Sequence, residues 1–354
     1  MRVVHLNQDP GIAPAKKKGA AVHVACMRRA FERRGATVAG LDVPGREAAL
    51  GALTALQADG GIDLIYERYA LDADAGASFA REHGVPLVLE VNAPLLFEAA
   101  EHRGRAVAVE DEARERAVLC AAHVVLCVSN GVADYVRRHG IDPHRVIVRP
   151  NGVDADVFRP RAASDTLRNE LGLDRRFVIG FHGRLRPWHG FENVVAAARR
   201  LAERGVDAHV LAVGEGDFAQ ALQPLAPERW THVPWVPHDA VARYVACFDV
   251  LALGYRAEDA CYFSPLKLFE ALAAGAAAVV PTAGDLTGLL EHERDALFYP
   301  PGDVEALTLA LQRVATDEPL RRRLVREGSQ LAARHSWDAI ARDVLSAATT
   351  ERAR

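Results

Sequence analysis

Tyr262-Phe-Ser-Pro-Leu-Lys-Leu-Phe-Glu-Ala-Leu-Ala-Ala-Gly275 is followed at once by the apolar run Ala276-Ala-Ala-Val-Val280 and Pro281. Ser264 and Pro265 mark a helix start twice. Ser is a favoured N-cap, and Pro at the first helical position has its φ pre-set and no N–H to leave unpaired. Leu266 to Ala274 are strong helix formers, and Gly275 is a natural stop. The run after it reads as a buried strand. A short helix therefore opens on a loop and runs into an apolar strand. Its first N–H groups carry the positive end of the helix dipole, which suits a phosphate. Leu266 is the first that can offer an amide, since Pro has none. Lys267 and Glu270 fall in the first two turns. Lys can meet phosphate charge, and Glu can accept from ribose hydroxyls. The alternative is an i,i+3 Lys–Glu pair on a solvated face.

Outward from this stretch, the chain has 354 residues, half hydrophobic and a quarter charged, which is an ordinary globular composition for two domains or one large one. A net charge of −4 gives no global argument for nucleic acid or an anionic membrane. Cys26, Cys120, Cys127, Cys247 and Cys261 are scattered and odd in number, so neither a disulfide framework nor a zinc site is expected. Most sit in apolar runs and are expected to be buried thiols. The N-terminus reads as a strand rather than a signal peptide, and no run of about 18 apolar residues suggests a membrane span. The expected location is cytoplasmic.

Short apolar strands alternate with helices along the chain. Strands are expected at 3–6, 37–41, 62–66, 86–91, 124–128 and 146–148, with helices at 20–34, 46–58, 72–83, 110–121 and 132–139. That pattern argues for a parallel, doubly wound sheet. A turn cluster at Pro150-Asn-Gly-Val-Asp154 and a linker over 158–174 follow. Alternation then restarts, with strands at 177–181, 208–213, 232–233, 250–253, 276–280 and 296–299. Helices are expected at 193–203, 217–222, 238–246, 286–290 and 304–315. A second α/β alternation means a second Rossmann-like domain.

Four further stretches carry chemistry. Phe181-His-Gly-Arg-Leu-Arg-Pro-Trp-His-Gly190 follows a strand and precedes a helix, where α/β proteins bind ligands. Gly11 to Gly19 contains Lys16-Lys17-Lys18, and a Gly before a helix lets backbone N–H groups approach a phosphate. The lysines read equally as a solvated loop. Tyr66-Glu-Arg-Tyr69 and Glu90-Val-Asn-Ala-Pro94 each follow an apolar strand, so Glu67, Arg68, Glu90 and Asn92 are candidates to hydrogen-bond an acceptor at the carboxyl edge of a sheet. Loop capping is the alternative for each.

Together these residues resemble glycosyltransferase family 4, whose fold is GT-B. In that family a Glu, seven residues and a second Glu precede Ala-x-x-x-Gly. Glu270 and Gly275 match the second half, while Tyr262 stands where the first Glu is expected. The stretch from Phe263 to Glu270 and the run Leu89-Glu-Val-Asn-Ala-Pro-Leu95 resemble one subgroup. The 181–190 stretch resembles the family's Gly-Arg-Leu…Lys-Gly element, whose Arg and Lys grip a diphosphate. Arg184 matches the Arg, and His189 stands at the Lys position, so Lys267 is expected to supply the second positive charge. The resemblance assigns Gly19, Gly183, Arg184, His189, Ser264, Leu266, Lys267 and Glu270 to the donor. It leaves Glu67, Arg68, Glu90 and Asn92 to the acceptor. Glu90 could also stabilise positive charge at the anomeric carbon. Ser129-Asn-Gly131 and Asn151-Gly-Val-Asp154 read as turns shaping the cleft floor and hinge.

The resemblance implies an α/β GT-B fold with two Rossmann-like doubly wound domains facing across a cleft. The acceptor-side domain is expected over 1–158, joined by the C-terminal helix 337–354, and the donor domain over 172–336. The implied activity is retaining transfer of a hexosyl- or hexosaminyl-type sugar from a nucleotide-diphosphate sugar, UDP first, to a sugar, lipid-linked or small-molecule hydroxyl. No cofactor and no metal are expected, because Arg184 and Lys267 would do the metal's work on the leaving diphosphate. Arg184, Lys267 and Glu90 are the catalytic candidates. Nucleic acid is not an expected partner, and peripheral membrane contact is left open. Two decoys weigh little. Asp72-Ala-Asp74 and Asp154-Ala-Asp156 read as a metal-binding Asp-x-Asp, but Asp72 is better explained as an N-cap. Gly214-Glu-Gly-Asp-Phe-Ala219 resembles a dinucleotide fingerprint without its later acidic residue. A non-catalytic sugar-nucleotide-binding pseudo-enzyme and a nicotinamide-dependent oxidoreductase are the alternatives.

Overall fold

A computed structural model describes residues 1–12, 19–160, 164–257, 264 and 266–352. The chain divides into two compact units, Met1–Asn151 with Tyr262–Ser264 and Trp337–Arg354, and Gly152–Cys261 with Pro265–Ser336. The first unit contains β1 (Arg2–Asn7), α1 (Gly19–Arg33), β2 (Thr37–Asp42), α2 (Arg46–Ala58), β3 (Leu64–Arg68) and α3 (Ala75–His83). It continues through β4 (Leu87–Val91), α4 (Leu95–Arg103), α5 (Val109–Ala121), β5 (Val124–Cys127), α6 (Asn130–Arg138) and β6 (Val146–Val148). The second unit contains α7 (Ser164–Glu170), β7 (Phe177–His182), α8 (Phe191–Glu203), β8 (Ala208–Val213), α9 (Phe218–Leu222), β9 (Trp230–Val233) and α10 (His238–Val245). It ends with β10 (Val250–Ala252), α11 (Leu266–Ala274), β11 (Ala277–Pro281), α12 (Leu286–Leu289), β12 (Leu297–Tyr299), α13 (Val304–Thr316) and α14 (Glu318–Arg334). The last helix, α15 (Trp337–Arg352), belongs to the first unit.

Each unit has one six-stranded parallel sheet, ordered β2-β1-β3-β4-β5-β6 in the first and β12-β11-β10-β7-β8-β9 in the second. The inner strands are buried on both faces, which is why they read as apolar runs, while the edge strands β2, β6 and β9 are only partly buried. Alternation along β7 sends Phe177, Ile179 and Phe181 into a core with Phe191 and Phe218. Gly180 faces the other way, where a Cβ would lie 2.0 Å from the Phe248 ring, so only glycine lets that ring in. In the first unit α15 lies on α1: the Trp337 and His23 rings are 4.5 Å apart, and Arg33 pairs with Asp338 at 2.7 Å.

α11 ends as expected. Gly275 adopts φ +94°, its N–H bonds to Leu272 O and the Ala276 N–H bonds to Ala271 O, the paired bonds of a glycine-terminated helix. The helix-start residue Pro265, the Tyr262 departure, Cys261 and Lys16-Lys17-Lys18 lie outside the described residues. Of the other cysteines, Cys26, Cys127 and Cys247 are buried and Cys120 is exposed.

Three expectations need correction. The 158–174 linker contains α7, whose Arg168 bonds back to Cys247 O and Arg176 O. α4 and α14 are helices the sequence reading passed over. α14 is rich in Arg, and only its stripe of Leu320, Leu324, Gly328, Leu331 and Ala332 is buried. Asp72 is not an N-cap. It holds φ +66° and accepts from Arg105 at 2.7 Å and Arg114 at 3.1 Å, while α3 starts three residues later, at Ala75 behind Asp74. A left-handed residue cannot take the extended geometry a cap requires.

Candidate functional site

In the second unit the loops after β7 and β8 are zipped together. Gly183 N–H bonds to Val213 O and Leu185 N–H to Glu215 O, each at 2.8 Å. Gly214 (φ +136°) and Gly216 (φ +135°) allow this approach, since a Cβ on Gly214 would lie 2.2 Å from Gly183 O. The glycines of the dinucleotide-like decoy are thus used in packing one loop on another. Arg184 crosses the same seam to Glu215 at 2.7 Å, with its side chain 54% exposed.

His189 ends the short turn Pro187–His189. Its Nδ1 faces the Arg186 N–H at 3.2 Å, and its other ring nitrogen is Nε2. That nitrogen lies 3.1 Å from Lys267 Nζ. Lys267 comes from the first turn of α11, passes Gly183, where a Cβ would meet its Cε at 3.3 Å, and sits 5.2 Å from the Phe181 ring centroid. Burial pushes the Lys267 ammonium down to about 8, with Glu270 opposing. Burial and the charges of Lys267 and Arg186 push His189 down to about 3, so its ring is neutral at pH 7. A neutral imidazole has one lone pair, so the Arg186 N–H and the Lys267 ammonium compete for it, and the ammonium keeps N–H donors to spare.

Glu270 does not pair with Lys267 across the helix. Its Oε2 lies 2.6 Å from His182 Nε2 and its Oε1 2.9 Å from His238 Nε2, with its side chain only 13% exposed. Burial alone would raise the carboxyl, but the two imidazoles outweigh it and hold Glu270 down at about 2. The solvated i,i+3 pair is therefore not what the helix presents. Leu266 opens α11 and is half-buried. Ser264 belongs to the first unit, where its Oγ accepts from the Asn151 N–H at 2.9 Å.

The four acceptor candidates do not share a face. Glu67 pairs in register with Leu6 and Leu89, and Arg68 with Asn7 and Glu90. Successive residues of a strand point to opposite sides, so Arg68 and Glu90 share one face and Glu67 takes the other. Glu90 is buried, with Oε1 2.7 Å from His23 Nε2 of α1. Burial pushes Glu90 up, but His23 and Arg68 outweigh it, and the carboxyl falls to about 2. Glu67 is also buried. Its Oε1 accepts from Gln8, and its Oε2 points at α3, where a Cβ on Gly76 would lie 2.0 Å away. Burial lifts Glu67 to about 8 against the pull of Gln8. Arg68 Nη1 and Asn92 Nδ2 are buried donor atoms without a hydrogen-bond partner among the described residues. Gly19 opens α1 and is exposed.

His182, His238 and His23 were not among the sequence candidates. His182 stood inside the quoted 181–190 stretch without a role. His238 and His23 had no motif, because tertiary contacts alone bring them to Glu270 and Glu90. Asp154 makes a local turn, its Oδ1 accepting from the Asp156 N–H at 3.1 Å.

Residues 2–152 match the Glycosyl transferase 4-like domain, and residues 176–317 match Glycosyl transferases group 1. Alpha-maltose-1-phosphate synthase of Mycolicibacterium smegmatis is 31% identical over 311 residues, covering 80% of this chain and 78% of that one. D-inositol 3-phosphate glycosyltransferase of Stackebrandtia nassauensis is 28% identical over 323 residues, 83% of this chain and 69% of that one. Among solved structures, Anabaena Alr3699/HepE in complex with UDP matches with a TM-score of 0.77 at 20% identity, over 99% of this chain and 100% of that one. Sucrose-phosphate synthase from Thermosynechococcus elongatus matches with a TM-score of 0.76 at 22% identity, over all of both chains. No described helix is long and apolar enough to cross a membrane. The chain is a glycosyltransferase, and it belongs to the group 1 glycosyl transferases of family 4, with the GT-B fold.

Proposed function

We propose that this chain is a retaining glycosyltransferase that moves a hexosyl- or hexosaminyl-type sugar from a nucleotide-diphosphate sugar to a hydroxyl acceptor. The observation that carries the donor site is the meeting of Lys267 Nζ and His189 Nε2 at 3.1 Å. Lys267 holds three N–H donors against one shared imidazole lone pair, so an anionic oxygen within its reach completes the contact, and a diphosphate supplies it. Arg184 on the neighbouring loop adds a second cation once it turns from Glu215. Gly183, with no side chain, leaves the loop backbone open beside Lys267. Glu270, ionised and held by two imidazoles, would take the ribose hydroxyls. Leu266 offers the first amide of α11.

The chemistry breaks the anomeric carbon–phosphate oxygen bond. It forms the bond from the acceptor oxygen on the same face. The acceptor proton passes to the departing phosphate, and Arg184 and Lys267 stabilise the charge that develops there. Side-chain cations carry this role, so chelators are expected to leave the rate unchanged. Arg68, Glu90 and Asn92 are the acceptor-side candidates. Glu67, turned to α3, has no acceptor role in this reading. The UDP named in the HepE structure makes UDP the first donor base to try, and the relatives' names put D-inositol 3-phosphate among the first acceptors.

The test is a thermal-shift titration with UDP, GDP, ADP and dTDP on wild type, Glu270→Ala and Arg184→Ala. One diphosphate should stabilise wild type and neither variant. Sugars on that diphosphate are then assayed for transfer. Stabilisation by none of the four would overturn the donor site. Binding without transfer to any acceptor would make the chain a non-catalytic sugar-nucleotide binder.

A further inference from the structure

Glu270 is gripped by two imidazoles, and neither comes from its own helix. His182 closes β7, His238 opens α10, and Glu270 sits in the second turn of α11. Residues 88 and 32 positions away in sequence thus converge on one carboxylate, one on each oxygen. Each oxygen accepts in two lone-pair directions, so among the described residues each keeps one free. The rings are themselves held. Phe158 is buried and lies 5.0 Å from the His238 ring and 6.5 Å from that of His182, and Phe248 lies 6.1 Å from His182. A carboxylate on a flexible arm would be free to turn, whereas two N–H donors on rigid rings leave it one orientation.

We propose that His182 and His238 are positioning residues for ribose recognition. By donating to Glu270 they turn its free lone pairs toward the 2′- and 3′-hydroxyls, and so set a preference for ribonucleotide over 2′-deoxynucleotide donors. This rests on the assignment of Glu270 to the donor ribose. The imidazoles also tie β7 and α10 to α11. A purely structural tie would weaken all ligands alike, whereas a positioning role is read in the ribo-to-deoxy ratio.

The experiment measures, by calorimetry on the full chain, the affinity for UDP and for 2′-deoxyuridine 5′-diphosphate, with the GDP and ADP pairs alongside. Wild type, His238→Phe, His238→Gln, His182→Leu and Glu270→Gln are compared, each checked by thermal melting. Wild type should favour the ribonucleotide by about tenfold or more, the discrimination expected when a site built for a hydroxyl meets a ligand without it. His238→Phe should bring that ratio close to one by weakening only the ribonucleotide. His238→Gln, which keeps an N–H donor, should restore part of it. If His182→Leu does not fold, the His238 pair decides, since that side chain is 28% exposed. A ratio that collapses in Glu270→Gln but survives in His238→Phe would overturn the positioning role and leave the donor site standing. So would an equal loss for both ligands, or a wild type that does not distinguish them. A ratio untouched by Glu270→Gln, or no binding of any diphosphate, would overturn the donor assignment and this proposal with it.

Discussion

Glu270 in the second unit and Glu67 in the first are both largely shielded from water, yet they end in opposite charge states. Glu270 meets two imidazoles at 2.6 and 2.9 Å, and its carboxyl drops to about 2. Glu67 meets one neutral amide and a helix surface, and burial lifts it to about 8. Burial raises any carboxyl; the donors that face it decide whether the charge survives. An ionised, rigidly held carboxylate is suited to accepting hydroxyls. A protonated one is a packing group. Glu90 falls on the ionised side of this divide because His23 and Arg68 face it.

The contrast can be broken by isosteric changes. The largest effect is expected where charge is used. Glu270→Gln should lower the specificity constant for the sugar nucleotide by about 100-fold, the cost of removing a charged group from a preorganised site. Glu67→Gln should leave turnover within about twofold, since that carboxyl is already neutral at pH 7. Equal losses in the two variants, by steady-state kinetics, would end the distinction.

Next in size is the Glu90 pair. Leaving a buried carboxylate without the group that faces it costs about 3 kcal/mol, so His23→Ala should lower unfolding stability by that order in urea melts. The Glu90 carboxyl is depressed in the folded state. Its contribution is therefore complete above the ordinary carboxylate range and is lost as pH falls toward about 2. A His23→Ala variant as stable as wild type at pH 7 would mean that Glu90 is not held by His23.

The Lys267–His189 contact sharpens the comparison by pH. Free Lys267 loses its proton near pH 8, and a bound diphosphate favours the charged form. Nucleotide affinity should then fall as pH rises through about 8, by up to about tenfold per unit, with proton uptake on binding. Lys267→Arg should flatten the profile, because guanidinium stays charged. Calorimetry in buffers of different ionisation enthalpy reads both.

The smallest effect is on stability. Glu67 binds its proton more tightly folded than unfolded, so its contribution is present in full below the ordinary carboxylate range and declines as pH rises toward about 8. Glu67→Gln should remove that decline and raise the melting temperature at pH 9 by about 3 °C or more relative to wild type. A lower melting temperature at pH 9 would show that Glu67 is ionised and paired in the fold.

Much of the architecture was legible along the chain. Both parallel sheets were visible because inner strands buried on both faces must be apolar throughout and must alternate with helices that cover them. Gly275 was legible because ending a helix in a left-handed residue is a local requirement. α14 escaped because only one residue in three or four of its Arg-rich surface faces the core. Asp72 was misread because its pairing with Arg105 and Arg114 spans more than thirty residues.

The sequence by itself determined the order of the strands, most of the helices between them, the two-unit plan of parallel sheets, and the set of residue types that could meet a sugar diphosphate. Those follow from short-range periodicity, capping and turn chemistry, which a linear reading can see. Only the tertiary structure decided which side chains share a site. It turned Glu67 and Glu90 to opposite faces of one sheet, set Lys267 against His189, and closed His182 and His238 on Glu270. Hydrogen-bond partnership and the charge it preserves depend on ångström distances between residues far apart in sequence, and no local pattern encodes those distances.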